Sequence, residues 1–479
     1  MRTAEAQAIA SGRFGVESLM DQAAVAIADA FGRHLGQCSE VAVLVGGGNN
    51  GADAVSAGIL LARAGRRVRV YTATSRRTPL TEARLATLLQ MPGVRACTWG
   101  DPPDPQAGLI DGLLGTGLSG RPRSDMVAYL DQAAAWELPA VACDLVSGLD
   151  PDSGQVLCRG PRATVTVALG ALKPGLLLGD GPNVCGVLEL ADLGMTAEDL
   201  GSRRQWLTVD QLPGAEFRTT DHKGDRGRVL ILAGSPGLAG AAALTTLGAL
   251  RAAAGLVRLA IDEDLEPRFT AICPEATTLA LHPDDQVAAF ALLAAVRDGF
   301  DLVAAGPGLG RSPRAGYLLA ALFSAPWHKM VLDADALWHL ANGLGWPKET
   351  ACLVITPHRG EFAALFPDLA GPLLLQVEEA SRRTGATVLL KGPTTIVAGG
   401  GETTLISGGH DLLAQGGSGD VLAGLVAACL GRQATPHRAA AEAVAIHGRA
   451  SQRLFEVSGR GAGARALAEQ IPAAMKAHR

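Results

Sequence analysis

Val41-Ala42-Val43-Leu44-Val45 runs directly into Gly46-Gly47-Gly48-Asn49-Asn50-Gly51-Ala52-Asp53. A helix-like stretch from Ala54 to Ala64 follows, then a second apolar run, Val68-Arg69-Val70-Tyr71. An unbroken apolar run this short suits a parallel strand covered on both faces. Strand, glycine turn, helix and strand make a βαβ unit, which places the chain in the α/β class. Gly46, Gly48 and Gly51 also fit the G-x-G-x-x-G spacing of dinucleotide sites. The acid that should follow the second strand is missing: Thr72, Ala73, Thr74 and Ser75 stand there, then Arg76-Arg77. The spacing leaves Asn49, Asn50 and Asp53 unexplained. They set polar oxygens at the carboxyl end of a strand, where open α/β sheets bind ligands.

Two further strand ends repeat this chemistry. Gly108-Leu109-Ile110-Asp111 leads into Gly112-Leu113-Leu114-Gly115-Thr116-Gly117, and Ala140-Val141-Ala142-Cys143-Asp144 leads into Leu145-Val146-Ser147-Gly148-Leu149-Asp150. Turn chemistry accounts for any one of these acids. Asn50, Asp53, Asp111, Asp144 and Ser147, all after successive strands, point instead to a shared edge. Such oxygens suit an alkali or alkaline-earth cation, or a carbonyl and hydroxyl substrate. Residues 3 to 35 read as helical, with apolar positions at Ile9, Val16, Leu19, Met20, Ala23, Ala24 and Ile27. Thr164 to Ala168 and Gly186 to Gly194 read as closing strands. Lys173, between them, reads either as a site residue or as a surface residue, and the surface reading is favoured.

The bulk numbers narrow the classes. A chain of 479 residues with 48% hydrophobic and 19% charged residues buries large cores and is not disordered. A length prior gives roughly two to four domains. Net charge is −5 and aromatics are 4%, which argues against nucleic-acid and anionic-membrane surfaces. The eight cysteines form no Cys-x-x-Cys or Cys/His cluster, so neither a zinc site nor a disulfide framework is expected. No apolar signal core or membrane-length apolar run appears, and a soluble cytoplasmic protein is expected. The polar, turn-rich stretch with Glu198, Asp199, Ser202, Pro213-Gly214 and Asp221 marks a join near residue 210, giving domains 1–210 and 211–479.

After the join the strand–glycine–helix pattern restarts. Val229 to Ala233 precedes Gly234-Ser235-Pro236-Gly237, and a long Ala/Leu helix runs to Ala254. Later strand ends carry Gly306-Pro307-Gly308-Leu309-Gly310, Asp333-Ala334-Asp335, Thr356-Pro357-His358-Arg359-Gly360-Glu361 and Lys391-Gly392. Last comes Gln415-Gly416-Gly417-Ser418-Gly419-Asp420, opening an apolar helix. A mostly parallel, doubly wound sheet is expected. The last turn is an anion site at a helix N-terminus. Asp420, a carboxylate beside that anion, has the right place to take a proton from a hydroxyl attacking phosphorus. Singly, Asp420 also reads as a helix cap, His358 as a capping surface histidine, Lys391 as a solvated strand end, and Asp333 and Asp335 as caps. Together they read as lysine and backbone for phosphate, acids for a metal and an aspartate base. No Walker-type lysine loop is present.

The three motifs of the first half resemble the signatures of the NAD(P)H-hydrate epimerase domain over roughly residues 1 to 210. That resemblance implies a Rossmann-like three-layer fold. It implies substrate contacts from Asn49, Asn50, Gly51, Ala52, Asp53, Gly115, Thr116, Gly117, Leu118, Ser119, Gly120 and Arg121, and acid/base work by Asp144. It also implies potassium ligation by Asn50, Asp111 and Ser147. Ala52 and Ala54 stand where that family has glycine, so two added methyls at turn positions are expected to crowd the ligand or demand an unfavourable φ. The second half resembles the ADP-dependent NAD(P)H-hydrate dehydratase domain of the ribokinase-like superfamily, over about residues 215 to 479. By position, Ala241, Gly308, His358 and Asp420 would meet the hydrated dinucleotide. Lys391, Gly392, Pro393, Thr394, Thr395 and Gly419 would hold ADP, with Mg²⁺ as its companion. The combination implies a bifunctional enzyme acting on the hydrates of NADH and NADPH, with small-molecule partners only and assembly into a homo-oligomer. The competing reading is a vitamin-alcohol kinase fused to a non-catalytic dinucleotide-binding module.

Overall fold

The computed structural model describes residues 14–74, 76–118, 120–196, 201, 203–212, 217, 219–220, 222–282, 285–347, 350–432 and 435–476. Ile9, Ser119, Glu198, Asp199, Ser202, Pro213, Gly214 and Asp221 lie outside the described residues. The chain divides into two compact units, Met1–Ser202 and Arg203–Arg479.

In the first unit the apolar runs become strands β1 (Val41–Val45), β2 (Val68–Thr72), β3 (Val94–Cys97), β4 (Gly108–Gly112), β5 (Ala140–Cys143), β6 (Val165–Leu169) and β7 (Val187–Ala191). They form one sheet in the order β3-β2-β1-β4-β5-β6-β7, and every pairing is parallel. All five residues of β1 and of β4 are buried, as two-face coverage requires. The strand order reverses between β1 and β4, and such a switch point opens a crevice at the strands' carboxyl ends. Register sets Val45 opposite Gly112, and Gly46 N–H donates to Gly112 O at 3.1 Å.

The helix after β1 begins at Asn49, not at Ala54. Gly48 is extended (φ −97°, ψ −168°), and the chain turns straight into helix, so Asn49, Asn50 and Asp53 occupy the first turns. Ala52 and Ala54 are therefore helical and fully buried, and the strain expected of them does not arise. Gly112 leaves room for Ala54: a Cβ at Gly112 would lie 2.4 Å from the Ala54 methyl.

The second unit holds β8 (Arg204–Thr208), β9 (Arg228–Leu232), β10 (Leu256–Asp262), β11 (Thr277–Leu281), β12 (Leu302–Ala305), β13 (Lys329–Leu332), β14 (Cys352–Ile355), β15 (Thr387–Leu390), β16 (Thr395–Gly399) and β17 (Glu402–Ser407). The order is β11-β10-β9-β12-β13-β14-β15-β16-β17-β8, parallel except where β16 runs against β15 and β17. Strand β8 pairs with β17, so it belongs to this sheet. A join near residue 210 would have assigned it to the first unit. Again the order reverses, between β9 and β12. Two Ala-rich helices, Ala239–Arg251 and Ser418–Arg432, pack closely on this sheet. Gly424 and Gly248 let the two helices approach each other: a Cβ at Gly424 would meet Thr245 O at 1.9 Å, and one at Gly248 would meet Val421 O at 2.3 Å.

Candidate active sites

A cavity of about 770 Å³ opens at the switch point of the first sheet, within the range that holds small ligands and cofactors. Asn49, Asn50, Asp53, Gly115, Thr116, Gly117, Leu118, Arg121 and Asp144 line it, with Val16, Leu19, Met20, Leu169 and Leu193 forming an apolar wall. Gly51, Ala52 and Gly120 do not line it. Gly51 instead packs against Gly46, the first residue after β1: a Cβ there would sit 2.2 Å from Gly46 O.

Asp111 is 1% exposed at the end of β4. Its Oδ1 accepts from Ser147 Oγ at 2.6 Å and from Leu113 N–H at 3.3 Å, and its Oδ2 accepts from Ser147 N–H at 2.9 Å. Burial pushes its carboxyl above the usual range; the donors of Ser147 and Leu113 oppose that, and none of them carries a charge. Asn50 Nδ2 donates to Leu114 O at 2.8 Å, and Leu114 N–H to Ser147 Oγ at 2.8 Å. Asn50, Asp111 and Ser147 are thus brought together as one oxygen-rich cluster. Burial, then the charges of Asp53, Asp111 and Asp144, push the Cys143 thiol well up, which marks this edge as acidic.

Lys173 is not on the surface. It is 5% exposed, its ammonium pairs with Asp144, and it donates to Leu169 O at 2.9 Å. Its partner lies 29 positions earlier in the chain, and only the pairing of β5 with β6 brings the two together.

In the second unit the strand-end motifs also converge. Gly308 (φ +61°) abuts Ala241: a Cβ added there would lie 2.8 Å from the Ala241 methyl. Ser235 Oγ donates to Gly308 O at 3.0 Å, tying the two glycine loops together. Lys391 Nζ pairs with Asp333 Oδ1 at 2.8 Å, lies 3.9 Å from Glu361 Oε2, and would be 3.5 Å from a Cβ at Gly419. The lysine therefore stands at the N-terminus of the helix Ser418–Arg432. Ser418, Gly419 and Asp420 form its first turn, after Gly417 at φ +90°. Burial opposes the charge on Lys391, but Asp333, Glu361 and Asp420 outweigh it and hold its pKa above the ordinary value. Burial first, then repulsion from Asp333 and Asp335, pushes Asp420 up to about 6, against the pull of Lys391. That is a carboxylate poised to exchange a proton near neutrality.

His358 is exposed and caps the helix Arg359–Leu365. Its Nδ1 accepts from Glu361 N–H at 3.1 Å, and Glu361 Oε2 accepts from His358 N–H at 2.8 Å. Glu361 then links the histidine to Lys391. Thr394, at the end of the turn from β15, and Thr395, the first residue of β16, are buried, with Thr395 Oγ1 donating to Gly392 O at 3.3 Å. The acids expected to hold a metal are otherwise engaged. Asp333 is the counter-ion of Lys391, and Asp335 accepts from Gly310 N–H at 2.8 Å and Arg311 Nε at 3.3 Å. Among the described residues no group of three or more His, Cys, Asp or Glu is placed to hold a metal ion. No helix among them is long and apolar enough to cross a membrane.

Two family models match the chain: YjeF-related protein N-terminus over residues 16–175, and NAD(P)H-hydrate dehydratase over residues 229–473. A Gloeobacter violaceus protein named bifunctional NAD(P)H-hydrate repair enzyme is 36% identical over 473 residues, covering 94% of this chain and 91% of its own. An Escherichia coli protein of the same name is 35% identical, covering 86% of this chain and 80% of its own. Among solved structures, an ADP/ATP-dependent NAD(P)H-hydrate dehydratase from Bacillus subtilis, crystallised with ATP and Mg²⁺, superposes with a TM-score of 0.50 at 28% identity. It covers 56% of this chain and 97% of the other. A ribokinase-like superfamily protein from Enterococcus faecalis superposes with a TM-score of 0.52 at 24% identity, which shows the fold alone. Over both units, this chain belongs to the bifunctional NAD(P)H-hydrate repair enzymes.

Proposed function

We propose that the second unit, Arg203–Arg479, dehydrates the S form of hydrated NADH or NADPH at the expense of ADP, and that the first, Met1–Ser202, interconverts the R and S forms. Asp420 carries the first part of this reading, as a base with a pKa near 6 in the first turn of a glycine-opened helix beside Lys391. Hydroxide is a poor leaving group and phosphate a good one. Asp420 takes the proton of the ring hydroxyl, whose oxygen attacks the terminal phosphorus of ADP, and AMP departs. The C–O bond then breaks with its electron pair on phosphate, pushed by the ring nitrogen, and loss of the neighbouring C–H proton restores the dihydronicotinamide. Lys391 and the N–H groups of the Gly419 turn stabilise charge on the transferring phosphoryl group. The turn Lys391–Thr395 holds the nucleotide, and Ala241, Gly308 and His358 meet the hydrate. Magnesium would accompany the nucleotide and neutralise charge on its phosphates, and no step here is routed through it.

In the first unit Asp144 faces the large cavity as the acid/base group. The reacting carbon bears both the hydroxyl and the ring nitrogen, so epimerisation needs no oxidant. The hydroxyl proton moves to Asp144, and the C–N bond opens with its electron pair on nitrogen, delocalised into the carboxamide. Closure on the other face returns the proton. A buried carboxylate met only by uncharged donors, beside an amide, a hydroxyl and a carbonyl, fits potassium. Asn50, Asp111 and Ser147 would hold it, and it would fix the loops that carry the substrate. We place the enzyme in the cytoplasm as a homo-oligomer, which its mass in solution tests.

The deciding assay supplies purified R and S hydrates separately, with ADP or ATP, and follows NADH absorbance. NADH from the S hydrate at once, and from the R hydrate after epimerisation, is the expected outcome. Accumulation of a phosphorylated alcohol with no NADH would point to a kinase instead.

A further inference from the structure

Asp144 holds an unusual conformation for its work. Its φ is +65°, in the left-handed region, which costs a non-glycine residue of order 1 kcal/mol. The carboxylate is bound on one side only. Oδ1 accepts from the Lys173 ammonium and from Leu169 N–H at 2.9 Å. Among the described residues no hydrogen bond reaches Oδ2. Asp144 lines the 770 Å³ cavity and Lys173 does not, so the lysine stands behind the carboxylate, away from the ligand.

The lysine is itself delivered by a rigid turn. Gly170 is at φ +72°, and Pro174 opens the short helix Pro174–Leu177 with Lys173 as its N-cap. Gly175 lies so close to the loop after β5 that a Cβ would sit 2.1 Å from Asp150 O. A buried ammonium persists only where it is paired and hydrogen-bonded. Here its partners are Asp144 and the Leu169 carbonyl, at an edge that also carries Asp53 and Asp111.

We propose that Lys173 is a positioning residue for epimerisation: it pins Oδ1 of Asp144 and so presents Oδ2, alone, to the substrate hydroxyl. This rests on the reading of the first unit as the epimerase. Removing the lysine frees the carboxylate to rotate and leaves it without its counter-charge. The rate of proton transfer then suffers, whereas the cavity walls that bind the hydrate stay in place.

The test uses the full chain and the R hydrate of NADH without ADP, with R-to-S conversion read by chromatography as initial rates over a substrate series. Lys173→Met is expected to lower kcat roughly 100-fold, the scale of misplacing a catalytic group, with KM within about threefold of the parent. Lys173→Arg is expected to restore at least a tenth of parental kcat. Because Lys173→Met leaves a half-buried carboxylate unpaired, the double variant Asp144→Asn/Lys173→Met, which removes both charges together, accompanies it. That double variant is expected to be as slow as Asp144→Asn alone. Dehydration of the S hydrate with ADP in the same preparations reports the amount of intact enzyme. A Lys173→Met enzyme with parental kcat, a loss confined to KM, or a double variant tenfold slower than Asp144→Asn would overturn the proposal. A parent that does not epimerise at all would instead sink the reading of the first unit.

Discussion

At the scale of single residues, Asp420 is where folding and chemistry oppose each other. Its carboxyl is raised to about 6 by burial and by Asp333 and Asp335, so ionising it costs the folded state. The unfolded chain gives up this proton nearer pH 4, so between about pH 4 and 6 the folded state binds the extra proton and stability falls as pH rises. Asp420→Asn removes that loss. After a discount for partial exposure, the variant should be more stable than the parent by about 1–2 kcal/mol at pH 7.5 and by nothing at pH 4. Melting curves of the second unit at the two pH values check this. The same variant should lose dehydration of the S hydrate by at least 100-fold. A variant no more stable at pH 7.5 than at pH 4, relative to the parent, would show that Asp420 is not strained by its neighbours. The glycine turn and its acid were legible in the sequence because they are contiguous. Lys173 was not, because a lysine's role depends on a partner 29 positions away and on the left-handed backbone of Asp144, and neither leaves a local pattern. His358 shows a third case, where the observed capping role and the role proposed toward the hydrate fall on one side chain.

At the scale of elements, the strands were the most readable feature. β1, β4, β5 and β9 sit within a residue of where the apolar runs placed them, because burial on both faces demands unbroken apolar sequence. The helix starts at Asn49 rather than at Ala54, because its first turn is built from glycine and asparagine, which also spell a loop. What those glycines do differs position by position. A methyl at Gly51 would sit 2.2 Å from Gly46 O and 2.9 Å from Gly46 C, both backbone atoms that cannot swing aside. Gly51→Ala should therefore push the helix off β1, costing about 3 kcal/mol and abolishing R-to-S conversion. At Gly48 a methyl meets nothing within 4 Å and φ is −97°, so Gly48→Ala should change stability by less than about 0.5 kcal/mol. Equal melting temperatures for the two variants would contradict the close-packed strand–helix contact.

At the scale of the whole molecule, the two-unit division was visible as a polar stretch between two restarts of the same pattern, but its position was not. Composition marks where a chain is polar, whereas a unit boundary is set by which sheet a strand joins. Arg204 to Thr208 pair with Thr403 to Ser407. Trp206 Nε1 donates to Ser407 Oγ at 2.9 Å, and both guanidinium ends of Arg204 reach Glu378 at 2.7 Å. The next residues are held as firmly: Arg449, 4% exposed, donates to Val209 O at 2.6 Å and Leu212 O at 3.0 Å. Gly448 leaves space for Val209, since a Cβ there would lie 2.4 Å from Val209 Cγ1. Deleting residues 203–212 would bare the edge of β17 and strip a buried guanidinium of two acceptors, a loss of at least about 3 kcal/mol. A fragment starting at Arg203 should therefore melt within a degree or two of the second unit's transition in the full chain and dehydrate the S hydrate with ADP. A fragment starting at residue 213 should melt about 5 °C lower and aggregate on warming, because an unpaired sheet edge recruits other chains. Matching melting curves for the two fragments would mean that β8 is an ornament on the second sheet rather than part of it.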